Sequence, residues 1–330
     1  MLLVERAPPY LTVQDAGRFG YRSSGVPPAG AMDQWSLAMA NSHAGNQRFA
    51  AALEWAIGGG SLRCERETII GLAGAEIDAS VGDRPVQSPG SYAVGSGEVL
   101  NVRAIARRRF LYLALRGGIE CPLVLGSRST YLPASFGGIE GRRLRSGDVV
   151  PSGAMALPQG ETVHGGLREQ SEEPDYDATI VRVVARSAVA ADQRRSGARD
   201  PSADVELFAR FVEPQYTVSA VSDRMGYRLE SAQPLTGVRA SITSEPVCAG
   251  AIQITPSGQP IVLMADAPTI GGYRIAGTVI SCDLPVIAQC LPGTTVRFEG
   301  ISVDKAHALL QARERALSQL FTAESARAEY

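Results

Sequence analysis

Short apolar runs broken by glycine and proline set the strongest limit on what this chain can fold into. There are 35 glycines and 20 prolines in 330 residues, above the roughly 12% of average composition. Residues 68–72, 75–81, 98–102, 110–115, 179–184, 251–254, 260–264 and 294–298 each read as a strand. Turn residues separate most of them, as in Gly82-Asp83-Arg84-Pro85. Apolar stretches this short need partners on both edges, so the pattern predicts a mainly β fold. Helices long enough for βαβ crossovers are missing, which argues against a doubly wound sheet.

A few short helices are predicted. Asp33 can cap one carrying Trp35, Leu37 and Met39 and ending near Gly45. Ser202 can cap a second with Leu207, Phe208 and Phe211, and residues 284–290 suit a third. Ser302 can start a C-terminal helix seamed by Ala306, Leu310, Leu317 and Leu320, with a polar tail at 322–330 that frays. A polar stretch at 159–177 reads as a linker, and 191–204 as a surface loop. The expected domains are therefore 1–170 and 171–330, the second ending in the C-terminal helix.

Composition removes several function classes. The net charge of −2 gives no broad electrostatic grip on nucleic acid. Lys305 is the only lysine, and no Gly-rich loop precedes it, so there is no P-loop and no biotinyl site. Cys64, Cys121, Cys248, Cys282 and Cys290 form no C-x-x-C pair, and the histidines are only His43, His164 and His307. No metal site is expected from them. The odd cysteine count fits reduced thiols in a cytoplasmic protein. No signal peptide and no membrane-spanning run is read.

Candidate site residues gather in loops. The segment 12–33, TVQDAGRFGYRSSGVPPAGAMD, combines glycines with Asp15, Arg18 and Tyr21. It supplies a proton acceptor, an anion clamp and a hydroxyl, or else a structured loop in which Asp15 and Arg18 pair. Ser127, Arg128, Ser129 and Thr130, ahead of Gly137-Gly138, suit an oxyanion, or else a hydroxyl-stabilised turn. Ser222-Asp223-Arg224-Met225-Gly226-Tyr227-Arg228 faintly echoes the first segment, which raises an internal duplication. Glu245 before Pro246, and Asp266 ahead of Gly271-Gly272-Tyr273, place further acids beside strands. Arg107-Arg108-Arg109 reads as a solvated turn before a strand.

Together these blocks resemble the allophanate hydrolase subunit 2-like family, one half of biotin-dependent carboxyltransferase modules. The carrying residues are Thr12-Val13-Gln14-Asp15, Gly17-Arg18, Gly20-Tyr21, Gly25-Val26-Pro27, Gly30-Ala31-Met32-Asp33, Gly126-Ser127-Arg128-Ser129-Thr130, Ser222-Asp223-Arg224-Met225-Gly226-Tyr227 and Gly250-Ala251-Ile252-Gln253. Pro256-Ser257-Gly258-Gln259-Pro260 and Gly271-Gly272-Tyr273 complete the match. Among the stand-alone bacterial members, the chain resembles the 5-oxoprolinase C subunits. The resemblance implies two cyclophilin-like β-barrel halves. It also implies an allophanate hydrolase subunit 1-like partner, of the kind found as the 5-oxoprolinase B subunit, and a third 5-oxoprolinase subunit. The implied activity is ATP-dependent opening of 5-oxoproline to L-glutamate, with ATP and Mg²⁺ at a shared site and no biotin on this chain. Under that reading Asp15, Asp223, Tyr21 and Tyr227 are catalytic candidates. Arg18, Ser127, Arg128, Ser129, Thr130, Arg224, Glu245, Asp266, Gly271, Gly272 and Tyr273 are substrate- or anion-binding candidates. A carboxyltransferase taking carboxyl from biotin, and a non-enzymatic binder of a subunit 1-like protein, are the alternatives. The run Thr269-Ile270-Gly271-Gly272-Tyr273-Arg274-Ile275 departs from the family's Thr-Thr-Gly-Gly-Tyr-Pro-Lys, which bears on the substrate.

Overall fold

The computed structural model describes residues 1–154, 174–186, 201–238 and 240–327, with the backbone alone for Pro201 and 322–327. The chain divides into two compact units. One comprises residues 1–19, 29–173 and 315–330, the other 20–28 and 174–314. The expected boundary at 170/171 and most of the expected linker lie outside the described residues.

The first unit holds β1 (Leu2–Arg6), β2 (Tyr10–Gln14), β3 (Ala52–Ala56), β4 (Gly60–Cys64), β5 (Thr68–Val81), β6 (Arg84–Val86), β7 (Gly90–Val94), β8 (Val99–Leu115) and β9 (Val149–Val150). They form one antiparallel sheet whose spine runs β2-β3-β8-β4-β1-β9. β5 lies along the other edge of β8 and carries β6 and β7. This sheet is a half-barrel. Its core includes Leu11, Leu53, Trp55, Leu62, Leu111 and Leu113, none of them exposed. Each such side chain contributes about 1.5–3 kcal/mol by leaving water.

Two expected breaks in this sheet are bridged. Residues 68–72 and 75–81 are one strand, and so are 98–102 and 110–115. Arg107-Arg108-Arg109 is not a turn. It is a bulge inside β8, where Arg108 takes φ +65° and the register against β5 shifts beside Gly74. A bulge lets a 17-residue strand bend without ending. The Arg107 guanidinium meets Glu76 at 3.2 Å, and Arg108 Nη1 donates to Gly74 O at 3.3 Å.

α1 (Gln34–His43) packs against β5 and β8. Asp33 caps it as expected, accepting from Ser36 N at 2.9 Å. The close approach depends on Gly71 of β5, where an added Cβ would sit 2.0 Å from Ala40 O. Behind this contact lies a buried polar chain. Tyr112 Oη donates to Glu54 at 2.7 Å, Glu54 accepts from Met32 N at 2.8 Å, and Asp33 N donates to Tyr112 Oη at 2.8 Å. Burial, reinforced by the Glu54 carboxylate, holds the Tyr112 phenol well above its ordinary pKa.

The second unit holds β10 (Ile180–Ala185), β11 (Tyr216–Val218), β12 (Gly226–Glu230), β13 (Ser241–Pro246), β14 (Ala251–Ile254), β15 (Pro260–Leu263), β16 (Ile270–Val279) and β17 (Thr295–Gly300). The order β10-β17-β11-β12-β15-β14-β16 returns through a β10–β16 pairing, giving a closed seven-stranded barrel with β13 outside on β16. α2 (Pro201–Val212) sends Phe211 into an aromatic cluster with Tyr216 and Phe298, ring centroids 5.5 and 4.7 Å away. α3 (Leu284–Ala288) is a short helix between β16 and β17, and α4 (Val303–Arg327) is the last element of the described chain. α2 already begins at Pro201, so Ser202 lies in its first turn and not at its cap. Ser302 does cap α4, its Oγ accepting from Lys305 N at 3.2 Å. The mainly β expectation holds, with one barrel closed and the other sheet open.

Candidate functional site

β2 delivers Asp15 to its C-terminal end, and the loop there is built around that carboxylate. Oδ1 accepts from Gly17 N at 2.8 Å, from Ser127 Oγ at 2.6 Å and from Ser129 Oγ. Oδ2 accepts from Arg128 N at 2.6 Å. Ser129 Oγ also accepts from Asp15 N at 2.9 Å. Thr130 returns two bonds to Val13 O, from its N at 2.9 Å and its Oγ1 at 3.1 Å. The four residues Ser127 to Thr130 and Asp15 are thus one assembly, and the expected oxyanion strip is folded onto its own aspartate.

Glycines make that assembly compact. An added Cβ at Gly30 would lie 2.8 Å from Ala16 O, and one at Gly137 2.0 Å from Ser129 O. Arg18 is buried here, donating to Ser129 O and stacking on Phe136 with its guanidinium 4.7 Å from the ring centroid. The Cys121 sulfur lies 3.9 Å from Arg128 O, and burial pushes its thiol up to about 11.

Next to the Asp15 assembly opens a pocket of about 460 Å³, within the range of small-molecule sites. Asp15, Gln47, Arg48, Glu120, Arg128 and the backbone of Gly117-Gly118 line it. Asn46 positions the loop after α1 that carries Gln47 and Arg48. It donates to Leu115 O at 2.7 Å and accepts from Gly117 N at 2.8 Å. Asn41 adds a bond to Ala50 O at 2.8 Å. Sequence reasoning misses Gln47, Arg48 and Glu120. Nothing local marks them, because a fold contact alone brings position 47 to positions 120 and 128.

In the second unit, the Arg224 guanidinium holds Asp266 by two bonds of 2.9 and 2.8 Å, both side chains buried. Glu245 pairs with Arg186 at 2.9 Å. Tyr227 is buried and its hydroxyl donates to Ala288 O at 2.6 Å, which ties β12 to α3. Asp223 is exposed and accepts from Met225 N at 2.8 Å. Gly271 abuts Gln253, whose Nε2 would be 2.3 Å from an added Cβ. Gly271, Gly272 and the half-exposed Tyr273 lie on β16. Tyr21, also half-exposed, precedes a 3₁₀ turn at Arg22–Ser24. Arg274, at the departure from the family run, donates to Asp204 of α2 at 2.6 and 3.0 Å.

The faint echo between the halves is partial. Asp15 and Asp223 each accept from the N–H two residues on, both at 2.8 Å. Beyond that the two stretches differ: Gly226-Tyr227-Arg228 lies in a strand, while Gly20-Tyr21-Arg22 leads into a 3₁₀ turn. Among the described residues no group of three His, Cys, Asp or Glu side chains could hold a metal ion. None of the five cysteines is in a disulfide. No described helix is long and apolar enough to cross a membrane.

Comparison with known proteins places the chain. Residues 24–300 match the carboxyltransferase domain, subdomain A and B. The chain is 34% identical to the 5-oxoprolinase C subunit of Haemophilus influenzae over 94% of both chains. It is 32% identical to the 5-oxoprolinase C subunit of Escherichia coli over 97% of both. It also superposes on the crystal structure of the K. lactis urea amidolyase with a TM-score of 0.80 and 26% identity, covering 97% of this chain and 20% of that one. The chain thus spans about a fifth of that larger enzyme. On the span and identity of these matches, the chain belongs to the carboxyltransferase domain family.

Proposed function

We propose that the chain is one subunit of an ATP-dependent 5-oxoprolinase that opens 5-oxoproline to L-glutamate in the cytoplasm. Full-length similarity to two 5-oxoprolinase C subunits is the observation that carries this reading. A lactam is an unreactive amide, so hydrolysis needs its carbonyl oxygen activated, and phosphoryl transfer from ATP achieves that. The partners are an allophanate hydrolase subunit 1-like protein and a third 5-oxoprolinase subunit.

The described residues fit an organic anion better than a resident magnesium ion. Asp15 has its oxygens engaged by four donors, and the described side chains offer no three-ligand metal cluster. Mg²⁺ would enter coordinated to the nucleotide's phosphates. Mixing the three subunits with 5-oxoproline, ATP and Mg²⁺ and measuring glutamate tests the proposal. Glutamate should appear only when all three subunits and ATP are present. A complete mixture that forms none would refute it.

A second reading, a carboxyltransferase half-module, is favoured by the superposition on urea amidolyase. It predicts carboxyl transfer to a small amide from carboxybiotin on a partner, with no glutamate formed.

A further inference from the structure

Three polar side chains in the first unit converge on one pocket without hydrogen-bond partners among the described residues. Gln47, Glu120 and Arg128 all line the cavity beside Asp15, and none of their side-chain groups is hydrogen-bonded to a described residue. The Arg128 Nε is buried as well as unbonded, a costly state unless something meets it. Its backbone, in contrast, is locked: Arg128 N donates to Asp15 at 2.6 Å and Arg128 O accepts from Gly138 N at 2.9 Å. A fixed backbone with an unengaged guanidinium is a preorganised anion receptor. Arg48, with its guanidinium 4.5 Å from the Phe49 ring centroid, adds a second positive charge to the same wall.

The charges around the pocket decide what kind of anion fits. Arg48 and Arg128 are offset by Asp15 and Glu120, so the lining is neutral before anything binds. A polyphosphate would bring several uncompensated negative charges against two carboxylates. A monoanion would not. The remaining groups specify the rest of the ligand. The Glu120 carboxylate is an acceptor for an N–H, and the Gln47 amide is a donor for a carbonyl oxygen.

We propose that this pocket binds a small monocarboxylate that also carries an amide N–H and C=O. Arg128 and Arg48 take the carboxylate through the planar fork that suits it, Glu120 takes the N–H, and Gln47 takes the carbonyl. 5-Oxoproline has these three groups, so the assignment rests on the functional proposal and gives its substrate a place on this chain. It makes Gln47, Arg48 and Glu120 specificity residues, and Asp15 the residue that positions Arg128.

Calorimetric titration of the full chain tests this with four probes: 5-oxoproline, cyclopentanecarboxylate without the amide, 2-pyrrolidinone without the carboxylate, and inorganic phosphate. 5-Oxoproline should bind at least tenfold more tightly than any of the other three. Arg128→Gln should weaken it at least tenfold with an unchanged thermal midpoint. Glu120→Gln, an exposed and structurally mild change, should narrow the gap between 5-oxoproline and cyclopentanecarboxylate. No saturable binding of 5-oxoproline, tighter binding of phosphate, or indifference to both variants overturns the assignment. Glutamate formation by the assembled subunits separates the two proposals. Unchanged turnover and KM in Arg128→Gln and Glu120→Gln complexes reject this pocket and leave the functional reading intact. A complete wild-type mixture that makes no glutamate rejects the functional reading, while the titration still decides the pocket.

Discussion

Asp15 gathers donors from two places more than a hundred residues apart in the chain, Gly17 beside it and Ser127, Arg128 and Ser129 across the fold. Hydrogen bonds to an ionised acceptor are roughly twice as strong as neutral ones. Asp15→Asn keeps the shape but removes the charge and turns an NH₂ toward donors. The expected loss is about 3 kcal/mol of unfolding free energy, read from denaturant unfolding. Ser127→Ala should cost less, about 1 kcal/mol, because three donors remain. If Asp15→Asn unfolds at the same denaturant concentration as the wild type, the carboxylate does not organise this loop. The sequence made Asp15 and Ser127 to Thr130 visible as chemistry-bearing residues, yet not as one group. Side-chain pairing across 112 residues leaves no local periodicity to read. Arg18 illustrates the same limit. Its type suggested an anion clamp or a partner for Asp15, and the fold buries it between Ser129 O and the Phe136 ring.

Elements were legible where their signals are local. The Asp33 cap, the span of α1 and the Ser302 start of α4 all follow from short-range rules. β8 was not, because three consecutive arginines look like a turn until β5 supplies Glu76 and Gly74 O as their partners. α1 also carries a pH-dependent contribution. His43 ends the helix and is only 4% exposed, with no hydrogen bond to its Nε2. Burial lowers its pKa from 6.5 to about 4. Between those values the unfolded chain binds a proton that the folded chain does not, so stability falls as pH drops through that window. It is unaffected by this group above the window. The full effect, reached below about pH 4, is about 3 kcal/mol. Unfolding curves at pH 7, 5.5 and 4.5 should show a decline that His43→Leu removes. An equal decline in the variant would assign the pH dependence to other groups.

At the scale of the whole molecule, each of the two compact units is discontinuous in sequence. The first unit takes back residues 315–330 after the second has been completed, and the second includes 20–28 from within the first. A cut at 173/174 therefore deprives each fragment of a piece of its own unit. The fragment 1–173 lacks Leu317 and Leu320, which are 3% and 7% exposed in the intact chain. Two buried leucines contribute about 4 kcal/mol as an upper figure, against the 5–15 kcal/mol that typically separates folded from unfolded. The fragment 174–330 keeps its closed barrel but lacks 20–28. Expressed alone, 1–173 should unfold at markedly lower denaturant concentration than the first unit within the intact chain, and 174–330 should lose less. Expressed together, the fragments should copurify and recover most of the intact stability, because the missing pieces are then supplied in trans. A fragment 1–173 as stable as the intact chain would show that residues 315–330 contribute nothing to the unit that claims them.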